Sequence, residues 1–221
     1  MLTRILKISL GVLALPVCFG VSLSLYRHVA TLSIFSLYQQ KYFLFGIIAY
    51  FVFHALVIKP LYPFVLSHEL THAIAALLTG AKVRSIQISS KGGSVSVSKN
   101  NVFIALSPYF VPLYTIIIIL LWFAAERVLG SGPYQGWFLF AAGFTLAFHI
   151  VLTVDFLKTR QTDLQYAGYP LSACLIYIIN LVVVGFVLSF LFQGLVFSNF
   201  LKDSYMISAD AYKEIFKQLF L

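Results

Sequence analysis

Long apolar runs recur along the whole chain, and they constrain its fold more than any other feature. The 221 residues are 61% hydrophobic and only 10% charged, whereas a soluble domain carries about a quarter charged residues. A helix of about 20 apolar residues can cross a bilayer. The sequence therefore predicts an all-α polytopic membrane protein with about six transmembrane helices. The predicted spans are approximately residues 6–26, 34–58, 61–79, 101–125, 136–157 and 169–197.

The end of the sequence follows a different pattern. Ser208-Ala209-Asp210 is typical of a helix N-cap followed by an acidic first turn. We therefore expect a single integral-membrane domain at 1–197 and an amphipathic helix within 198–221 that lies in the membrane interface. The apolar residues that recur there at helical spacing are Tyr212, Ile215, Phe216, Leu219 and Phe220.

The charge pattern argues against a nucleic-acid partner. The formal net charge is +8, but the fifteen Lys and Arg residues are scattered over loops and ends and form no dense patch. This distribution indicates membrane flanks that contact anionic headgroups of the lipid bilayer. Cys18 and Cys174 fall inside predicted spans and lack C-x-x-C spacing, so they do not indicate a disulfide framework. The sequence specifies no oligomeric state.

After the third predicted span, the hydrophobic period changes from helical to alternating. Residues 83–89 and 94–98 alternate, with Lys91-Gly92-Gly93 between them, which predicts a short β-hairpin. The alternative is a solvated loop. An exposed strand edge here could hold an unfolded substrate segment by strand addition. The residues predicted to bind that segment are Ser94, Val95, Ser96 and Val97.

Two prolines near the start of the fourth predicted span, Pro108 and Pro112, are expected to bend or unwind that helix. Such a break either serves packing alone or opens a cavity beside a functional site.

The motif His68-Glu69-Leu70-Thr71-His72 lies within apolar sequence and is the strongest functional signal in the chain. Residues four apart share a helix face, so the two histidines can bind one metal ion. The H-E-x-x-H spacing is typical of zinc metalloproteases, in which the glutamate is the general base for zinc-bound water. Ionisable side chains in a membrane segment are costly without a partner, which favours a bound zinc ion, one per chain.

A catalytic zinc site needs a third protein ligand, and two aspartates remain as candidates. Asp163 is favoured, although a helix N-terminal acid would also explain it. Asp155 is the alternative, although a pair with Lys158 at i+3 would also explain it. His54 and His149 also lie in apolar spans, where a hydrogen-bonded core histidine is the more ordinary interpretation.

The motif, its continuation to Gly80, the hairpin that follows and the late acidic segment together resemble the site-2 protease family of intramembrane zinc metalloproteases. The resemblance is greatest to the small subgroup without a PDZ insertion and covers roughly residues 60–195. It implies a metalloprotease core in which His68 and His72 bind zinc and Glu69 is the general base. Thr162-Asp163-Leu164 is the counterpart of the family's third ligand by order, although it lacks that segment's Leu-Asp-Gly and Asn-Pro elements.

The resemblance predicts a zinc-dependent intramembrane endopeptidase that cleaves a transmembrane or signal-peptide-like segment, most naturally in a bacterial inner membrane. Two alternatives stay open at this stage. One is an inactive membrane relative of the same fold that acts as a binding protein, for which Glu69→Gln would be silent. The other is a metal-handling membrane protein, which the buried acids and His54, His68, His72 and His149 would also suit.

Overall fold

A computed structural model of the protein describes residues 2–32, 41–56, 59–89, 92–130, 132, 134–159, 161–192 and 194–221, with side chains from residue 5 onwards. The described residues are mainly helical, with one two-stranded antiparallel sheet. The helices are α1 Leu2–Leu13, α2 Leu15–Ala30, α3 Lys41–Leu56, α4 Leu61–Leu78, α5 Val102–Leu106, α6 Leu113–Leu129, α7 Gln135–Leu157, α8 Thr162–Ala167, α9 Tyr169–Leu191 and α10 Phe197–Phe220; the strands are β1 Val83–Ser89 and β2 Gly92–Val97, and a 3-10 turn covers Ser107–Tyr109.

Several of these helices are long and apolar enough to cross a membrane, so the chain is a multi-pass membrane protein. By length and composition, four stretches of the described residues qualify, and a fifth is added if one bent helix pair counts as a single span. The predicted count of six remains a prediction. The four stretches are Ile5–Ala30, Leu61–Leu78, Gln135–Leu157 and Tyr169–Leu191.

The boundaries differ in places from those predicted. The second predicted span begins at 34, but residues 33–40 lie outside the described part of the chain, and α3 is described from Lys41. Lys91, which is predicted for the hairpin turn, also lies outside the described residues. The sixth predicted span extended to 197, but α9 ends at Leu191.

The predicted break in the fourth span is confirmed. Val102–Tyr109 and Leu113–Leu129 form a pair of helical segments bent by 74°. Pro108 lies in the 3-10 turn, and Pro112 immediately precedes α6. Because proline has no N–H to donate, the intervening residues cannot continue a regular helix. The break brings the short segment Val102–Tyr109 alongside α4.

The chain divides into two compact units, Gln40–Asp163 and Met1–Gln39 with Leu164–Leu221. In the first unit, α3 packs closely on α7. Gly46 lies against the carbonyl oxygen of Phe140, and Gly143 lies against that of Phe43, so neither position has room for a side chain. Close helix approach of this kind is typical of membrane bundles. The neighbouring core contains fully or almost fully buried Tyr50, Phe64, Phe148 and Leu152.

In the second unit, α10 packs along α2. The Ser24 hydroxyl donates to the Phe200 carbonyl oxygen at 2.9 Å, and Gly20 lies directly against Ser208. The predicted N-cap at Ser208 is wrong, because α10 begins at Phe197 and is continuous through this position. The Ser208 hydroxyl is buried and donates to the Ser204 carbonyl oxygen at 2.6 Å. The division at 197 and the interfacial position of this helix remain predictions.

The α3–α7 contact gives a direct test of the packing. We expect Gly143→Ala to lower the free energy of unfolding by about 1–3 kcal/mol, because the new methyl group meets the Phe43 backbone, which cannot turn aside. Gly136→Ala in the same helix is the matched control, since its methyl group meets only the half-exposed ring of Tyr42. Thermal unfolding in detergent measures both. Equal midpoints for the two variants would contradict this packing.

Candidate metal centre

The H-E-x-x-H motif lies in the middle of α4, and its two histidines share one face. The His68 and His72 ring centroids are 4.9 Å apart with an interplanar angle of 80°. Only 9% of the His68 side chain and 12% of the His72 side chain are exposed. The helical spacing of four residues therefore produces the pair that the sequence predicts.

A backbone hydrogen bond orients His72. Its Nδ1 lies 2.8 Å from the carbonyl oxygen of Ile104 in α5, which can only accept. The proton of the neutral ring is therefore on Nδ1, and the lone pair of Nε2 is available for a metal.

Packing, rather than a hydrogen bond, orients His68. Its Nδ1 is buried and has no hydrogen-bond partner among the described residues. The ring instead lies edge-to-face with Tyr109 at a centroid distance of 5.0 Å, and Phe64 lies 5.9 Å away on the same helix. Aromatic neighbours at these distances restrict how far the imidazole can turn.

Asp163, at the start of α8, completes the group. Its Oδ2 lies 3.5 Å from His68 Nε2 and 3.4 Å from His72 Nε2. One ligand atom from each of the three residues lies within 4.8 Å of the other two. Burial raises the pKa of the Asp163 carboxyl, but the two histidines beside it more than offset this and hold that pKa below its ordinary value.

The donor set and its spacing fit a zinc ion. Two imidazole nitrogens and a carboxylate oxygen form a ligand set used by catalytic zinc sites, and a tetrahedral ion with ligands at about 2.0–2.1 Å separates them by about 3.3 Å. The observed nitrogen–oxygen separations of 3.4 and 3.5 Å agree with that spacing. They are long for hydrogen bonds between nitrogen and oxygen.

The structure does not bring Asp155, the alternative third ligand, to the two histidines. Near the end of α7, its carboxylate pairs with Lys158 at 2.9 Å, as the i+3 spacing predicts, and with Lys59 at 2.5 Å. His54 Nε2 lies 3.7 Å from the same carboxylate. His149 is buried elsewhere on α7 and is not part of the metal-capable group, which consists of His68, His72 and Asp163.

Glu69 faces a cavity that also contains the candidate ligands. The cavity has a volume of about 410 Å³. Glu69 itself is only 6% exposed. The lining residues are Val65, His68, Glu69, His72, Gly92, Gly93, Ser94, Val95, Val97, Asn100, Ile104, Phe156, Gln161, Thr162 and Asp163.

The β-hairpin forms one wall of this cavity. The two strands are antiparallel, with Gln87 opposite Ser94 and Ile86 opposite Val95. Of the four residues predicted to bind substrate, Ser94, Val95 and Val97 line the cavity and Ser96 does not. Alternation along β2 separates Val95 and Val97 from Ser96, which faces the other side of the sheet, whereas Ser94 lines the cavity although it lies on the Ser96 face.

Gly93 fixes how closely the hairpin approaches Glu69. A Cβ atom at position 93 would lie 2.5 Å from Glu69 Cγ and 2.8 Å from Glu69 Oε1. It would also lie 2.9 Å from the Gln87 carbonyl oxygen on the paired strand. Glycine at this position is thus required by the close approach of strand and glutamate.

Sequence reasoning missed Tyr109. This fully buried residue ends the 3-10 turn, and its hydroxyl donates to Asp163 Oδ2 at 3.1 Å. The adjacent Pro108 signals the break in the helix but not the direction of the tyrosine, so no local pattern identifies this contact.

Residues 42–129 match the family model described as Peptidase M50B-like. The matched range includes α4, the hairpin and the bent helix pair, while Asp163 lies beyond it. The match confirms the resemblance to the site-2 protease family. No curated protein and no solved structure matches the chain.

The approach of Gly93 to Glu69 can be tested directly. We expect Gly93→Ala to displace the hairpin from α4, because the buried glutamate and the Gln87 carbonyl leave no space for a methyl group. Hydrogen–deuterium exchange over residues 83–97 should then be faster than in the unmodified protein. Ser94→Ala, which removes an atom from the neighbouring exposed position, is the control. Unchanged exchange in Gly93→Ala would rule out the close approach.

Proposed function

We propose that this multi-pass membrane protein, which resembles the site-2 protease family, is a zinc-dependent intramembrane endopeptidase. The convergence of His68, His72 and Asp163 beside Glu69 carries the proposal. Their ligand atoms have the spacing that a tetrahedral zinc ion requires. The bacterial inner membrane remains the predicted location.

In this proposal, His68, His72 and Asp163 hold one zinc ion, and the open side of the site faces the cavity. Zinc at such a site supplies Lewis-acid polarisation of a peptide carbonyl and lowers the pKa of water towards neutrality. The Ile104 carbonyl maintains the His72 tautomer needed for that ligand set.

Glu69 is the proposed general base and acid. Its carboxylate faces the same cavity as the three ligands. It takes a proton from the attacking water and transfers it to the nitrogen of the leaving amine as the peptide bond breaks. Glu69 is almost fully buried, which strengthens its electrostatic interactions in the site.

β2 is the proposed docking edge for an extended substrate segment. It pairs with β1 along one edge, and the sheet has two strands among the described residues. Backbone groups on the other edge of β2 can then pair with a locally unwound transmembrane or signal-peptide-like segment. Ser94, Val95 and Val97 of this strand line the cavity that Glu69 faces.

Zinc content and hydrolysis, measured on the same preparations, test this function. We expect about one zinc ion per chain in the purified protein, lost in His68→Ala and Asp163→Asn because each removes a ligand. Asp155→Asn is the matched control for Asp163→Asn and should retain zinc, since its carboxylate pairs with two lysines. Glu69→Gln should also retain zinc while losing cleavage by at least about 100-fold, because it removes the proton acceptor.

Cleavage is followed by mass spectrometry with a panel of transmembrane and signal-peptide segments in detergent containing ¹⁸O-water. Hydrolysis places the heavy oxygen in the new carboxyl group of the product. Zinc binding in the unmodified protein without product, or equal product from Glu69→Gln, would contradict the peptidase and favour an inactive binding relative. A protein that binds no zinc would contradict the metal centre itself.

A further inference from the structure

We infer that the bent segment Val102–Tyr109 orients the metal centre, with Tyr109 as a positioning residue for Asp163. This inference rests on the proposed zinc site. It concerns two hydrogen bonds that the segment makes, one to Asp163 and one to His72.

The first contact is the hydrogen bond from the Tyr109 hydroxyl to Asp163 Oδ2, at 3.1 Å. This oxygen is also the one that lies 3.5 and 3.4 Å from the histidine Nε2 atoms. A carboxylate oxygen has more than one lone pair, so it can accept from a phenol and still bind a cation. The phenol therefore fixes which carboxylate oxygen faces the histidines.

The second contact is the one from Ile104, whose carbonyl oxygen accepts from His72 Nδ1 at 2.8 Å. The same carbonyl accepts from the buried Ser107 hydroxyl at 3.2 Å. At the other end of α5, the Asn101 side chain caps the helix by accepting from the Ile104 N–H at 2.8 Å. These bonds hold both the N–H group and the carbonyl group of Ile104 in place.

Burial makes the tyrosine contact specific. Tyr109 is 0% exposed, and a phenol buried without a partner is unfavourable, so its hydroxyl is expected to keep this acceptor. Its ring is edge-to-face with His68 at 5.0 Å, which fixes the direction of the hydroxyl. Tyr109 thus contacts one candidate ligand through its ring and another through its oxygen.

Asp163 needs such a constraint because of its position. It is the second residue of a six-residue helix, Thr162–Ala167. A carboxylate there can rotate away from the histidines at little cost unless a neighbour holds it. Hydrogen bonds to metal ligands of this kind typically contribute about 10–100-fold in metal affinity.

Tyr109→Phe tests the inference, because it removes one oxygen and keeps the ring. We expect the zinc dissociation constant, measured in detergent by competition with a chromophoric chelator, to rise by about 10–100-fold. Tyr114→Phe is the matched control: it removes a hydroxyl that donates to the Pro63 carbonyl oxygen at 2.8 Å and is outside the metal-capable group. Its zinc affinity should equal that of the unmodified protein.

The rise in thermal midpoint on adding zinc separates loss of positioning from general loss of packing. Tyr109→Phe should show a smaller zinc-induced rise while its metal-free midpoint stays close to that of the unmodified protein. A lowered metal-free midpoint with an unchanged zinc-induced rise would overturn the inference.

Normal zinc affinity in Tyr109→Phe would also overturn the positioning role of Tyr109. If cleavage were slowed while zinc affinity stayed normal, the phenol would instead be assigned to substrate contact. An unmodified protein without zinc affinity would contradict the proposed function rather than this inference alone.

Discussion

The approach of one carboxylate to two imidazoles within apolar surroundings is the interaction on which the rest of the structure depends. Ionisable groups in a membrane segment are costly unless they are paired or bind a metal. Asp163 and the two histidines of α4 satisfy this requirement together, since their ligand atoms lie within 4.8 Å of one another. The second charged cluster, around Asp155, meets the same requirement with two lysines.

The surrounding elements of this unit serve to hold that group and keep one side of it open. The helix break at Pro108 and Pro112 turns a short segment against α4, where it contacts both His72 and Asp163. The hairpin then covers Glu69 from another side, at a distance that only glycine permits. Between these walls lies the cavity of about 410 Å³, which Glu69 and the three candidate ligands line. Some residues of this unit therefore hold the candidate ligands in place, while their neighbours leave one side of the site open.

The sequence predicts features that depend on the local spacing of residues. It does not predict contacts between residues that lie far apart in the sequence. The histidine pair follows from an i, i+4 spacing on one helix, and the hairpin follows from the alternation of residues. The two glycines predicted for its turn instead lie in β2, where Gly92 pairs with Ser89 and Gly93 pairs with Ile88. The choice between Asp155 and Asp163 depends on tertiary contacts, including a lysine at position 59 that no local pattern connects to Asp155. Tyr109 was missed for the same reason, since a proline indicates a break but not its direction. Ser208 was misread because a serine that bonds back to its own helix and a serine that caps one look alike in sequence.

The central claim is that zinc is bound by two imidazoles and one carboxylate, and zinc K-edge X-ray absorption tests it most directly. The Glu69→Gln protein is the suitable sample because it lacks the proposed general base and keeps all three candidate ligands. The account predicts about four nitrogen or oxygen neighbours at about 2.0–2.1 Å, with outer-shell scattering from two imidazole rings. Sulfur neighbours at about 2.3 Å, or zinc surrounded by oxygen without imidazole scattering, would contradict it.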